Sequence, residues 1–97
     1  MSAYNSGDFA TALREWTPLA EQGNASAQYN LGFVYYNGEG VLQDKVYAHM
    51  WGNIGSSNGN ENGGKLRDAV SKEMTSSQLE KAQDLARKCV AKNYKGC

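Results

Sequence analysis

Ala12-Leu13-Arg14-Glu15-Trp16, running on to Ala20-Glu21-Gln22-Gly23-Asn24, occurs nearly twice in this chain. The second copy is Tyr47-Ala48-His49-Met50-Trp51, running on to Ser56-Ser57-Asn58-Gly59-Asn60. Trp16 and Trp51 are 35 residues apart, and Gly23-Asn24 and Gly59-Asn60 are 36 apart. A period in this range marks a helical repeat array. One such unit cannot bury its apolar face alone and must stack on a neighbour. Trp16 and Trp51 could stack on a ligand, but recurrence at one repeat position favours packing in the core.

Outward from this phrase, helix signals alternate with glycine-bearing turns. Asp8 is a good N-cap, and Phe9, Ala12, Leu13, Trp16 and Ala20 follow at helical spacing. Pro18 should kink this helix, because it removes an N–H and crowds the preceding turn. Gly23 supplies a left-handed stop. Asn24 then caps a helix carrying Ala27, Leu31, Val34 and Tyr35, in which Gly32 lets two backbones approach closely. Tyr29, Phe33 and Tyr36 cannot all face the core of that helix, which puts at least one aromatic at a surface. Gly38-Glu39-Gly40-Val41 reads as a turn with Val41 plugging the core. Asp44 caps a helix with Tyr47, Ala48, Trp51 and Ile54.

The polar run from Gly55 to Gly64 is a flexible linker by composition. In repeat register it is instead a helix end, a turn and the start of another helix, with Gly63-Gly64 standing where Ala27-Gln28 stand in the first unit. Two interior glycines cost a helix up to about 2 kcal/mol relative to alanine, which makes this the expected soft point. Thr75-Ser76-Ser77-Gln78 fits a capping box. Leu79, Ala82, Leu85, Ala86, Cys89 and Val90 then form one apolar stripe. No segment alternates with the period of a strand. The expected fold is all-α, a short right-handed solenoid of about five antiparallel helices in one domain, 1–97. It divides into repeat one at about 8–43, repeat two at about 44–73 and a C-terminal helix at about 75–93.

Ten basic and ten acidic side chains give a formal net charge of zero. Neither a nucleic-acid footprint nor steering to an anionic membrane is expected from that balance. The apolar runs are far shorter than the ~20 residues of a membrane span, so no insertion is expected. No cleavable apolar leader is visible, although Met1-Ser2 is compatible with a start that replaced one. Beyond residue 80 the charge is uneven: Lys81, Arg87, Lys88, Lys92 and Lys95 face Asp84. Cations near a helix C-terminus favour the macrodipole, and an anionic partner is the other reading.

Three stretches carry a family resemblance: Ala20-Glu21-Gln22-Gly23-Asn24-Ala25, Ala27-Gln28-Tyr29-Asn30-Leu31-Gly32, and Tyr35 with Gly38-Glu39-Gly40-Val41-Leu42-Gln43-Asp44. Together they resemble the Sel-one-like repeat (SLR), a relative of the tetratricopeptide repeat, over roughly Gly7 to Asp68. The resemblance implies a right-handed superhelix of helix pairs that acts as a non-catalytic adaptor or scaffold for a protein or peptide. It assigns Ala12, Leu13, Trp16, Ala20, Ala27, Leu31, Gly32 and Tyr35 to the repeat core, with Ala48 and Trp51 in the second unit. In such solenoids the first helix of each pair lines the groove. Arg14, Glu15 and Pro18 would then form rungs with His49, Met50 and Asn53, as candidate partner-binding residues. The second unit departs from the pattern at Ser56-Ser57 and Gly63-Gly64. The chain begins where the tail of a preceding helix is expected, so an uncapped N-terminal edge would invite self-association into a homo-oligomer.

The segment Cys89 to Cys97 resembles the helix end of cysteine-rich secreted SLR proteins, in which a pair spaced by seven residues forms a disulfide. Gly96 would then supply the chain reversal. Two reduced thiols remain the alternative. A bridge implies an oxidising compartment, periplasmic or extracellular, whereas reduced thiols would fit the cytoplasm. Some cysteine-rich members are linked with penicillin binding and weak β-lactamase activity, so the resemblance also raises an enzymatic rival. No Ser-x-x-Lys, Gly-x-Ser-x-Gly, His-Glu-x-x-His or P-loop pattern occurs. Neither a metal nor a cofactor is expected. His49 has no partner at a catalytic spacing, Gly38-x-Gly40 reads as a repeat turn, and Asn24-Ala25-Ser26 reads as a cap before a glycosylation site.

Overall fold

The computed structural model describes residues 2–97. Met1, half of the start considered above, lies outside that range. Among the described residues there are helices and no strand: α1 (Ser2–Asn5), α2 (Phe9–Glu21), α3 (Ala25–Asn37), α4 (Lys45–Ser57), α5 (Glu61–Ser71) and α6 (Ser76–Ala91). Neighbouring helices pack against one another in a small solenoid-like bundle, with α4 at its centre in contact with α3, α5 and α6. Six helices form rather than five because the chain makes a short turn of helix before Asp8.

The caps repeat as the sequence does. Asp8 and Asp44 accept from the N–H groups of Thr11 and Tyr47 at 3.2 and 3.1 Å. Asn24 accepts from Ala27 N at 2.9 Å, and Asn60 accepts from Asn62 N and Gly63 N. Each such cap contributes about 1 kcal/mol by satisfying a backbone donor that the first helical turn leaves free. Asn24 therefore spends its side chain on a helix start. Thr75 and Gln78 form a complete capping box. Helix α2 continues through Pro18 to Glu21, and Thr17 Oγ1 donates to Leu13 O at 2.7 Å just before the proline.

Trp16 and Trp51 share one core with Ala12, Ala20, Ala27, Leu31, Val34, Met50, Ile54, Ala86 and Cys89. Leu13, Tyr35 and Val41 pack against it half-buried. A second cluster holds Ala48, Leu66 and Val70. Tyr29, Phe33 and Tyr36 all pack against this second cluster half-buried, and Tyr36 is the aromatic that meets the surface, as the sequence suggested. Tyr36 reaches the rim and donates to the Glu73 carboxylate, which also pairs with Lys45 at 3.4 Å. The tyrosine bond, then the lysine, holds the Glu73 carboxyl below its usual pKa. Tyr4 of α1 contacts the Phe9, Trp16 and Phe33 rings and donates to the Glu39 carboxylate at 3.0 Å. The N-terminal edge expected to be bare is thus covered in part by α1.

The Gly55–Gly64 run is no linker. Gly63 and Gly64 lie inside α5, and Gly63 is buried. A Cβ at Gly63 would sit 2.6 Å from Gly52 O and 2.8 Å from Ser56 N. Where α3 meets α4, a Cβ at Gly32 would sit 3.0 Å from Ala48 O and 3.1 Å from Gly52 N. Glycines thus let the α3, α4 and α5 backbones meet almost directly, and the helix-propensity penalty is the cost of that approach. The expected soft point is one of the tightest crossings.

Cys89 and Cys97 are disulfide-bonded, with Cα atoms 5.7 Å apart. Gly96 (φ 67°) does not make the reversal alone, because Asn93 (φ 55°) and Tyr94 (φ 66°) are also left-handed. That conformation is uncommon for a residue with a Cβ and needs support. Tyr94 N donates to Cys89 O at 2.9 Å, and the Tyr94 ring lies against Gly23. Asn58 Nδ2 donates to the Tyr94 hydroxyl oxygen at 3.2 Å and to Gln28 Oε1 at 2.9 Å. The fully buried Gln28 donates in turn to Ala20 O at 3.0 Å. Gly96 N donates to Glu21 at 3.2 Å, so the tail is tied to the C-terminal end of α2.

Candidate binding cleft

The groove expected along α2 and α4 does not form. Arg14, Glu15 and Pro18 are exposed on α2, where Arg14 donates to Thr11 Oγ1 at 3.0 Å. Their counterparts on α4 are covered: His49 and Met50 are only 3% and 1% exposed. Asn53 is half-buried, and its Oδ1 accepts from Arg67 Nη1 at 3.1 Å. The physical reason is position in the stack. Helix α2 is peripheral, whereas α4 is packed by α3, α5 and α6, so a 35-residue shift carries a solvated face into the interior. The six candidates therefore form no common surface.

A different surface is open. Among the described helices α6 packs broadly only against α4, although a strictly stacked helix would also lie along α5, as α4 lies along α3. Beside the α4–α6 contact is a cleft of about 370 Å³, lined by Asn53, Ile54 and Ser57 of α4 and by Gln83, Ala86, Arg87 and Val90 of α6. That volume is within the range of small-ligand and side-chain pockets, about 300–1,000 Å³. Ile54 and Ala86 make the floor, and Val90 stands exposed at the lip. Arg67 marks the α5 side through its bond to Asn53. A second hollow of about 100 Å³ beside the disulfide, lined in part by Tyr47, Met50, Leu85 and Cys97, falls well below that range.

Sequence reasoning placed Ile54, Ala86 and Val90 on apolar stripes but gave none of them a binding role. Val90 carried the available signal, because the stripe of α6 is wider than the single face that α4 covers.

His49 lies outside the cleft lining, and its buried Nδ1 has no hydrogen-bond partner. Burial lowers its pKa most, and the neighbouring Arg67 guanidinium adds to this, while Asp68 opposes. The folded chain therefore resists a proton that the unfolded chain accepts at about pH 6.5. Stability associated with His49 is present above that pH and is lost as pH falls below it. In thermal melts between pH 7 and pH 5, the wild type should lose stability more steeply than His49→Gln. Parallel pH profiles would exclude this role. Among the described residues no group of three His, Cys, Asp or Glu side chains could hold a metal ion. Both cysteines are engaged in the disulfide. The open surface presents an apolar floor, two carboxamides, a hydroxyl and a guanidinium. Set against known protein families and curated proteins, the chain matches no family model and no curated sequence.

Proposed function

We propose that this chain is a non-catalytic interaction module of the Sel-one-like repeat type that binds a protein or peptide partner. The observation that carries this reading is the α4–α6 cleft, whose walls are helices fixed by caps, core packing and the disulfide. Pre-ordered walls lose little conformational entropy on binding, so even a small contact area supports useful affinity. The disulfide favours an oxidising compartment, periplasmic or extracellular. No described helix is long and apolar enough to cross a membrane, which agrees with a partner met outside the bilayer.

The test is affinity capture from native extracts without reductant, run beside two baits altered at exposed positions. A partner retained by the wild type and by Arg14→Glu, but lost by Val90→Arg, supports the module and places its site in the cleft. Retention by all three keeps the module and moves the site. Turnover of nitrocefin above a denatured control would replace this reading with the enzymatic rival. Self-association at the edge formed by α1 and the 38–44 loop is a second reading, favoured by Leu42, which is 91% exposed. Its sign is a mass that rises with protein concentration and stops rising in Leu42→Glu.

A further inference from the structure

The chemistry of the cleft is one-sided. Its floor is apolar, Ile54 and Ala86 being 2% and 6% exposed, and Val90 extends that surface to the lip. Its polar lining is the carboxamides of Asn53 and Gln83, the Ser57 hydroxyl and the Arg87 guanidinium, with no carboxylate. One cation stands in the lining, the guanidinium of Arg87, while Lys88 and Lys92 line the separate hollow beside the disulfide. Asp84 is held by Lys88 at 2.9 Å and only loosely by Arg87 at 3.7 Å, so the guanidinium at the cleft is the less committed of the two. From the α5 side Arg67 reaches Asn53, and its guanidinium is paired with Asp68 at 3.1 Å, which leaves Arg87 as the cation open to a partner.

We propose that this cleft docks a linear peptide segment in which one large aliphatic or aromatic side chain is flanked by acidic residues. The inference rests on the interaction-module reading and supplies the chemistry of its partner. The apolar side chain covers Ile54, Ala86 and Val90, which leave a floor that water solvates poorly. A neighbouring carboxylate meets Arg87, whose planar fork suits bidentate contact with an acid. Asn53 and Gln83 present both donors and acceptors, the pair of functions that a peptide backbone between the two anchors requires. A basic segment would meet like charge at Arg87, so the same surface selects against it. The apolar floor distinguishes this partner from a plain polyanion, which would use the cations and leave the floor empty.

The experiment is a selection of random dodecapeptides displayed on phage against the full chain with its disulfide intact. Enriched peptides are then titrated by fluorescence polarisation against the wild type, Arg87→Glu and Val90→Glu. Both substitutions fall at exposed positions, Arg87 with 72% of its side chain accessible and Val90 51% exposed, and unchanged circular dichroism melts confirm their folds. Enriched peptides should pair Asp or Glu with a large apolar residue. Each variant should weaken them by about tenfold or more, as expected for a lost contact of roughly 1.4 kcal/mol. Serine in place of the apolar residue should abolish binding, and added salt should weaken it.

Neutral or basic consensus sequences overturn the proposal. So does acidic binding that needs no apolar residue, the mark of general polyanion attraction. Undiminished binding to both variants also overturns it and leaves the interaction module standing, with its site elsewhere. If no sequence is enriched, the peptide-binding module fails together with the proposal.

Discussion

Gly63→Ala should lower the melting temperature by about 10 °C, while Gly64→Ala, one residue along the same helix, should leave it unchanged or raise it. Helix propensity treats the two sites alike, favouring alanine by about 1 kcal/mol at each. Packing separates them. A methyl group at Gly63 would stand 2.6 Å from Gly52 O and 2.8 Å from Ser56 N. Both are backbone atoms of α4, which cannot turn aside as a side chain can, so α4 and α5 must part. Overpacking of this kind costs about 1–3 kcal/mol or more, and parting these helices also disturbs Leu66 and Val70. A net loss of about 2 kcal/mol corresponds to roughly 10 °C in a domain of this size. At Gly64 the nearest atom is Ser56 Oγ at 3.0 Å, a hydroxyl that can rotate away. The measurement is a pair of thermal melts by circular dichroism. Shifts of the same sign would show that propensity, rather than the α4–α5 crossing, governs this segment.

The second large effect belongs to the tail. Closing the segment from Cys89 to Cys97 removes conformational freedom from the unfolded chain worth about 2.5 kcal/mol in the loop-entropy description. Cys97→Ser should therefore lower the melting temperature by roughly 10–20 °C under oxidising conditions. Reductant added to the wild type should produce a similar fall and should leave the variant unmoved. The loss is expected to reach beyond the tail, because Tyr94 completes the Asn58–Gln28 hydrogen-bond chain. Equal melting temperatures for the two proteins, with both thiols open to labelling in the folded wild type, would overturn this account.

Much of the architecture was legible in local chemistry. Asp8, Asn24, Asp44 and the Thr75–Gln78 box all start helices where their side chains suggested. Trp16 and Trp51 occupy one core, as a repeat of 35 residues implies. These signals are written within a helical turn or in a periodic stripe, so a linear reading captures them. What failed depends on which helices flank which. His49 and Met50 were mapped from α2 to α4 as though both had the same neighbours, and α4 has more. Gly63 looked weak because its helix cost is visible in sequence, while the α4 backbone that requires it is not. The cleft escaped for a related reason: it exists because α6 lies along α4 without also lying along α5, and no periodicity states a crossing.

The tail also changes how the whole chain should come apart. A stack of helical units is ordinarily an open series, in which end units loosen first and each senses only its neighbours. Here Gly96 is bonded to Glu21 and Tyr94 rests on Gly23, so positions 75 residues apart in Glu21 and Gly96 are joined and the series is closed into a ring. The tail cannot loosen without breaking contacts at the C-terminal end of α2. The first unit and the last helix, which already share one core, should therefore loosen together rather than in series.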